Sequence, residues 1–323
     1  MKKTLVLLCA IGLFLCGAAQ ALAQAPGTMP PGPPKVLQIF REDVKVGKGA
    51  AHEKLEAAYA QAFKKAKWPT TYLALSSVTG PGEVWFLVPY DSFEAWEKDQ
   101  QAAEKNAALM AELTKLGEKE GEFVSGGRSI AAIYREDLSA HANVNIAQMR
   151  YFRVITFRVR PGHEGDFAEA VKIVRGAYEK ANVNQPWAVF QVSAGMVGPT
   201  FMVFLPTKSL QEIDAGLARS GKIQEAEGEE GAKRLQKIAA DAYLNVESNI
   251  YAFSPKMSYV SKEFATGDPD FWTPKRAAKA APAAKAEQPG SEGGTQGMKP
   301  PKEAPRGEGG TKGAKPQKPK PKG

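Results

Sequence analysis

The sequence predicts an α+β protein whose middle holds two copies of one β-α-β-β-α-β unit. Two observations carry this. Short motifs recur in the same order at offsets that rise from 113 to 117 residues: Val44-Lys45-Val46 with Phe157-Arg158-Val159, then Ala62-Phe63-Lys64-Lys65-Ala66 with Ala177-Tyr178-Glu179-Lys180-Ala181, then Pro89 and Ser92 with Pro206 and Ser209, and last Ile133-Tyr134 with Ile250-Tyr251. A period this long marks duplicated domains, whereas solenoid repeats are shorter. Within each copy the apolar spacing also switches between the strand period of two and the helix period of 3.6.

In the first copy, 36–46 reads as a strand. The stretch 51–66 reads as a helix, with Leu55, Tyr59 and Phe63 four apart on one face. Strands at 71–79 and 84–88 flank the turn signal Gly80-Pro81-Gly82. Asp91 with Glu94 reads as a capping box opening one helical region that runs through Leu109, Leu113 and Leu116. Gly126-Gly127 is expected to stop it, leaving 129–135 as the last strand. The second copy repeats the plan, with strands at 150–160, 187–194, 200–205 and 247–253 and helices starting near His163 and Ser209.

The flanks differ from this middle. Met1-Lys2-Lys3, an apolar run over 5–19 and Ala21-Leu22-Ala23 have the layout of an export signal cleaved after Ala23. The run is short for a membrane span, which needs roughly 20 residues. Leu13-Phe14-Leu15-Cys16 resembles a lipoprotein cleavage site, but Leu15 is larger than that processing favours. The only cysteines, Cys9 and Cys16, fall in the signal. The mature chain therefore has neither disulfides nor thiolate chemistry and depends on its core. Residues 24–34 form a proline-dense spacer. Residues 275–323 are rich in Lys, Pro, Ala and Gly and are expected to be disordered. The net charge of +8 belongs to these ends. Lys2 and Lys3 carry +2, and 275–323, with twelve Lys/Arg against four Glu, carries +8, so the middle stands at −2. That balance argues against nucleic-acid binding by the folded part. The expected organisation is signal 1–23, spacer 24–34, first repeat 35–138, linker 139–148, second repeat 149–260, extension 261–274 and basic tail 275–323.

A β-α-β-β-α-β unit makes an antiparallel sheet with both helices on one face, so its other face needs a cover. The second copy can supply that cover within the same chain. The segment Val159-Arg160-Pro161-Gly162-His163-Glu164-Gly165-Asp166-Phe167 resembles the opening of proteins in the dimeric α+β barrel superfamily, similar to antibiotic-biosynthesis monooxygenases and the NIPSNAP group. The resemblance covers roughly 36–256, counting both copies. It implies two ferredoxin-like repeats packed sheet to sheet as an intrachain α+β barrel. Its motifs are structural and bring no catalytic residue with them. Some tandem barrels of that superfamily bind haem, so the resemblance leaves haem open.

Candidate site residues come from two echoing motifs. Ile39-Phe40-Arg41-Glu42-Asp43 lies in the first strand and Ile133-Tyr134-Arg135-Glu136-Asp137 in the last strand of the same copy. These strands are expected to be antiparallel neighbours, bringing Arg41 and Arg135 near each other's acids. The result is either a polar ligand site or cross-strand ion pairing at a solvated sheet end. Tyr134 and Tyr251 are expected at matching positions, as ligand donors or as core residues with wet hydroxyls. His52 and His163 open helices, where side chains are usually solvated, and His141 lies in the linker. No histidine has a metal-ligand partner at His-x-x-x-His spacing, so no metal is expected. No phosphate-binding glycine loop, Gly-x-Ser-x-Gly elbow or dinucleotide fingerprint occurs.

The resulting expectation is an exported protein, periplasmic or secreted, that binds a small molecule or serves a structural role. The alternative is a monooxygenase-like or haem-handling enzyme. A third reading is a scaffold for another envelope protein. The basic tail is expected either to meet anionic envelope surfaces or to act as an inert solubilising extension.

Overall fold

Residues 32–273 are described in a computed structural model. The export signal, most of the spacer and the basic tail lie outside the described residues. The first repeat contributes β1 (Val36–Val44), α1 (Gly49–Ala66), β2 (Leu73–Ser77), β3 (Glu83–Tyr90), α2 (Phe93–Lys105), α3 (Ala107–Glu120) and β4 (Val124–Tyr134). The second contributes β5 (Tyr151–Val159), α4 (Glu164–Lys180), β6 (Ala188–Ala194), β7 (Thr200–Thr207), α5 (Gln211–Ala242) and β8 (Tyr243–Phe253). Two one-turn helices follow, α6 (Lys262–Ala265) and α7 (Pro269–Trp272).

The eight strands close into one antiparallel barrel in the order β1-β3-β2-β8-β5-β7-β6-β4. Each repeat supplies four neighbouring strands. The seams are β2 on β8, with Leu75 opposite Phe253, and β4 on β6, with Ile133 opposite Gln191. The two sheets thus do more than face each other: they share hydrogen bonds at both edges, which leaves no open sheet edge in the barrel. The fold is the α+β barrel that the resemblance implied.

Strand alternation sorts the core into layers. Leu37 and Ile39 of β1, Leu73 and Leu75 of β2, Trp85 and Leu87 of β3, Phe152 and Val154 of β5, and Met202 and Phe204 of β7 belong to one cluster that lines the barrel interior. Each such side chain contributes about 1.5–3 kcal/mol when fully buried. The alternate residues, such as Val84, Phe86 and Val88, pack outward with Phe63 of α1 and Trp96 of α2. In the second repeat Phe167 of α4 packs with Val159, Val189 and Phe201 on the sheet's outer side. The paired helices meet through Leu55, Ala62, Leu109 and Leu116 in one half and through Ala170, Ile238 and Ala242 in the other.

Three local expectations are corrected. The outer helical region of the first repeat is two helices, because the Asn106 side chain accepts from Leu109 N and starts α3 afresh. Ser92, rather than Asp91, caps α2, its Oγ accepting from Ala95 N at 3.1 Å. The helix ends at Gly121, and Gly126 and Gly127 lie inside β4, opposite Asp43 and Glu42. A Cβ at Gly127 would stand 3.0 Å from the Arg41 carbonyl oxygen, so this glycine permits close strand approach.

The register also corrects two of the repeat matches. Bulges fall at Asp43/Val44 and at Arg158/Val159, which makes Val44 the counterpart of Val159. Leu37 faces Ala132 in the first repeat, and Phe152 faces Tyr251 in the second. Tyr251 therefore corresponds to Ala132, and Tyr134 and Tyr251 are not equivalent positions. Chance likeness of Ile-Tyr pairs outweighed the true register.

Candidate functional site

The barrel interior divides into a polar end and an apolar end. At the polar end Arg41, Glu83 and Tyr251 converge. The Arg41 guanidinium donates to Glu83, whose side chain is fully buried. The Tyr251 hydroxyl donates to the other Glu83 oxygen at 2.5 Å. The Arg41 guanidinium also lies 5.6 Å from the centre of the Trp85 ring, and that ring is 4.7 Å from Tyr251. Burial, then the hydrogen bond and charge of Glu83, push the Tyr251 phenol well above its usual range. The cavity beside these groups is only about 20 Å³, room for about one water. This end is a polar plug.

Of the four residues singled out from sequence, Arg41 and Tyr251 meet here, through Glu83. Tyr134 and Arg135 do not join them. The antiparallel register sets Arg41 opposite Arg128, and Tyr134 N donates to the Lys35 carbonyl at the far end. Six rungs of about 3.3 Å separate the two sites. The expected pairing of the echoing motifs fails because antiparallel strands bring opposite ends together. Arg135 instead forms an ion pair with Asp137 at 2.7 Å and donates to Gln191 Oε1 at 2.7 Å. Tyr134 packs against Phe190 at 5.6 Å between ring centres.

At the apolar end lies a chamber of about 590 Å³. Its walls are inward residues of six strands: Leu37, Leu73, Leu87, Phe152, Phe190 and Phe204. Its rim is built from 32–34, from 142–147 between the repeats, and from the segment after β8. Asn145 and Ser261 on this rim are engaged as caps, accepting from Ala147 N and Phe264 N, both at 3.1 Å.

The segment after β8, expected from sequence only as an extension over 261–274, is a strap. Its Asp268 caps α7, with Pro269 at the first helical position, and forms an ion pair with Arg150. The Arg150 guanidinium lies 3.9 Å from the centre of the Phe271 ring. Trp272, buried, donates from Nε1 to the Ala147 carbonyl at 2.7 Å and packs edge-on to Phe253 and Phe264. A Cβ on Gly267 would meet the Ala147 Cβ at 2.6 Å, so strap and linker touch backbone to side chain. The Asp-Pro pair and the lone Trp272 were the available signals.

The histidines divide. His141 is exposed. His163 is half-buried, with Nδ1 2.7 Å from Asp166 Oδ2. His52 is buried at 1% exposure, contrary to the expectation of a solvated helix start, and its Nε2 lies 2.7 Å from Glu42 Oε2. Beside it, burial, then the charges of Glu42 and Glu120, push the Glu56 carboxyl up to about 9. None of the described residues lining the chamber is His, Cys, Met or Tyr. Among the described residues the chamber therefore offers no such axial ligand for haem. Among the described residues no helix is long and apolar enough to cross a membrane.

Fold and chamber together define a tandem α+β barrel with an apolar chamber open at one end. Among solved structures, an anthrone oxidase-like protein is 16% identical, with 68% of this chain and 92% of that chain covered and a TM-score of 0.46. A chlorite dismutase from Candidatus Nitrospira defluvii is 9% identical, with 72% and 95% covered and a TM-score of 0.40. Likenesses at this level carry no argument about activity, and the barrel stands on its own strand pairing. No protein-family model matches the chain, and no curated protein matches it.

Proposed function

We propose that this protein binds an apolar small molecule in the chamber at one end of its barrel. One observation carries the reading: about 590 Å³ lined largely by Leu, Phe, Ala and Pro side chains and open at a rim that carries polar groups. A volume of this size suits a drug-sized ligand, within a usual range of about 300–1,000 Å³. Gain comes from removing ligand surface from water, at about 25 cal/mol per Å² before ordering costs. The export-like start (1–23) supports a role outside the cytoplasm, in the periplasm or medium. The lysine-rich tail supports contact with anionic envelope surfaces through screened attraction.

The test uses N-phenyl-1-naphthylamine, a neutral probe that fluoresces in apolar surroundings. The full chain is expected to bind it stoichiometrically. Ala188→Trp, which places an indole in the chamber, is expected to abolish the signal while circular dichroism stays unchanged. Absence of probe binding by the wild type, or full binding by a folded Ala188→Trp, would overturn the proposal.

A further inference from the structure

Outside the barrel, between β1 and α1, lies a second polar cluster that the chamber does not use. His52 and Glu56 are one turn apart on α1, and Glu42 comes from the outer side of β1. His52 Nε2 is 2.7 Å from Glu42 Oε2 and 3.8 Å from Glu56 Oε1. One donor atom from each of the three residues lies within 4.8 Å of the others. Glu56 Oε1 has no hydrogen-bond partner, and the Glu56 side chain is only 6% exposed. An acceptor oxygen left in that condition costs about 1–3 kcal/mol or more.

The second repeat shows what the fold itself requires at these places. Val44 and Val159 are equivalent bulge positions, and α1 and α4 each begin five residues later. Glu42, His52 and Glu56 thus correspond to Phe157, Phe167 and Val171. Phe157 and Phe167 pack at 5.3 Å, and Phe167 stacks on Phe201 at 4.2 Å. Val171 packs against the same cluster. The architecture closes here with apolar side chains alone, so the polar trio of the first repeat is an addition to the fold.

We propose that Glu42, His52 and Glu56 bind one divalent transition-metal cation of the Zn²⁺ or Mn²⁺ class. Binding displaces the Glu56 proton to solvent; two carboxylates and a neutral imidazole then balance a double positive charge, and the imidazole favours these ions over Mg²⁺ and Ca²⁺. Glu42, at 17% side-chain exposure, provides the way in from solvent. Bonds of about 2.0–2.2 Å require the three side chains to draw together by about 1 Å. Glu120, to which the Tyr59 hydroxyl donates at 3.1 Å, stands near Glu42 as a further carboxylate.

The experiment is calorimetric titration of the untagged full chain, stripped with a chelator, with ZnCl₂ and separately with MnCl₂. One ion per chain and a raised melting temperature are expected for at least one of the two cations. Glu56→Gln keeps the shape and removes the charge, and is expected to weaken binding by about tenfold or more. The triple variant Glu42→Phe, His52→Phe, Glu56→Val copies the second repeat and is expected to bind no cation. If neither cation binds the wild type, or if Glu56→Gln binds as tightly as wild type, the proposal fails. Should the triple variant not fold, Glu56→Gln still decides the question.

Discussion

At the residue scale, Glu83 organises the plugged end of the barrel, because it is buried and holds both Arg41 and Tyr251. Glu83→Ala leaves Arg41 without its partner and is expected to cost about 3–5 kcal/mol, as for other broken buried pairs. Tyr251→Phe removes one hydrogen bond to a charged acceptor and is expected to cost about 1.5–3 kcal/mol. Urea denaturation followed by tryptophan fluorescence reads both. Equal stability of Glu83→Ala and wild type would show that the plug contributes nothing. Arg41 entered as a candidate through its echo of the motif around Arg135, and Tyr251 through its supposed match to Tyr134, although the register supports neither pairing. Their meeting was not legible, since it depends on the β2–β8 seam between the repeats. Glu83 itself had a signal: it shares the period-two face of Trp85 and Leu87 and so points inward.

At the element scale, the strap over 261–272 depends on Asp268. The Arg150 hydrogen bond holds its carboxyl below the ordinary value of 3.8, against the opposing effect of burial. A depressed carboxylate contributes stability that is present above the unfolded-state value and lost as pH falls through the folded one. Hydrogen exchange at the α7 amides is therefore expected to accelerate as pH drops below about 4, relative to the barrel strands, after correction for intrinsic rates. Asp268→Asn is expected to show the faster exchange already at neutral pH. Equal protection in that variant would count against the ion pair as the fastener. The strap was hard to read because four-residue helices carry no periodicity, whereas α1 and α4 were evident from their apolar stripes. The breaks at Asn106 and Gly228, where α5 has non-helical backbone, were masked by helical spacing on both sides.

At the scale of the whole molecule, each repeat alone would expose the edges that now form the seams: β2 and β4 in one half, β6 and β8 in the other. A chain restricted to 35–138 is expected to pair with a second copy of itself or to aggregate. Light scattering after size exclusion distinguishes these outcomes from a stable monomer, which would contradict the seam argument. The duplication was legible because the motifs of the first helix and of the strand end after it, Ala62–Ala66 and Pro89 with Ser92, survive in order. The register was not, because insertions shift the last strands beyond the apparent offset, so Tyr134 and Tyr251 looked equivalent while standing on different rungs.

The contrast between Glu42, His52, Glu56 and their counterparts Phe157, Phe167, Val171 has an evolutionary corollary. In an assembly of two identical subunits, any substitution appears twice, so a change useful on one side is imposed on the other. Joining both halves in one polypeptide removes that constraint. One half is then free to specialise while its sibling keeps to plain packing.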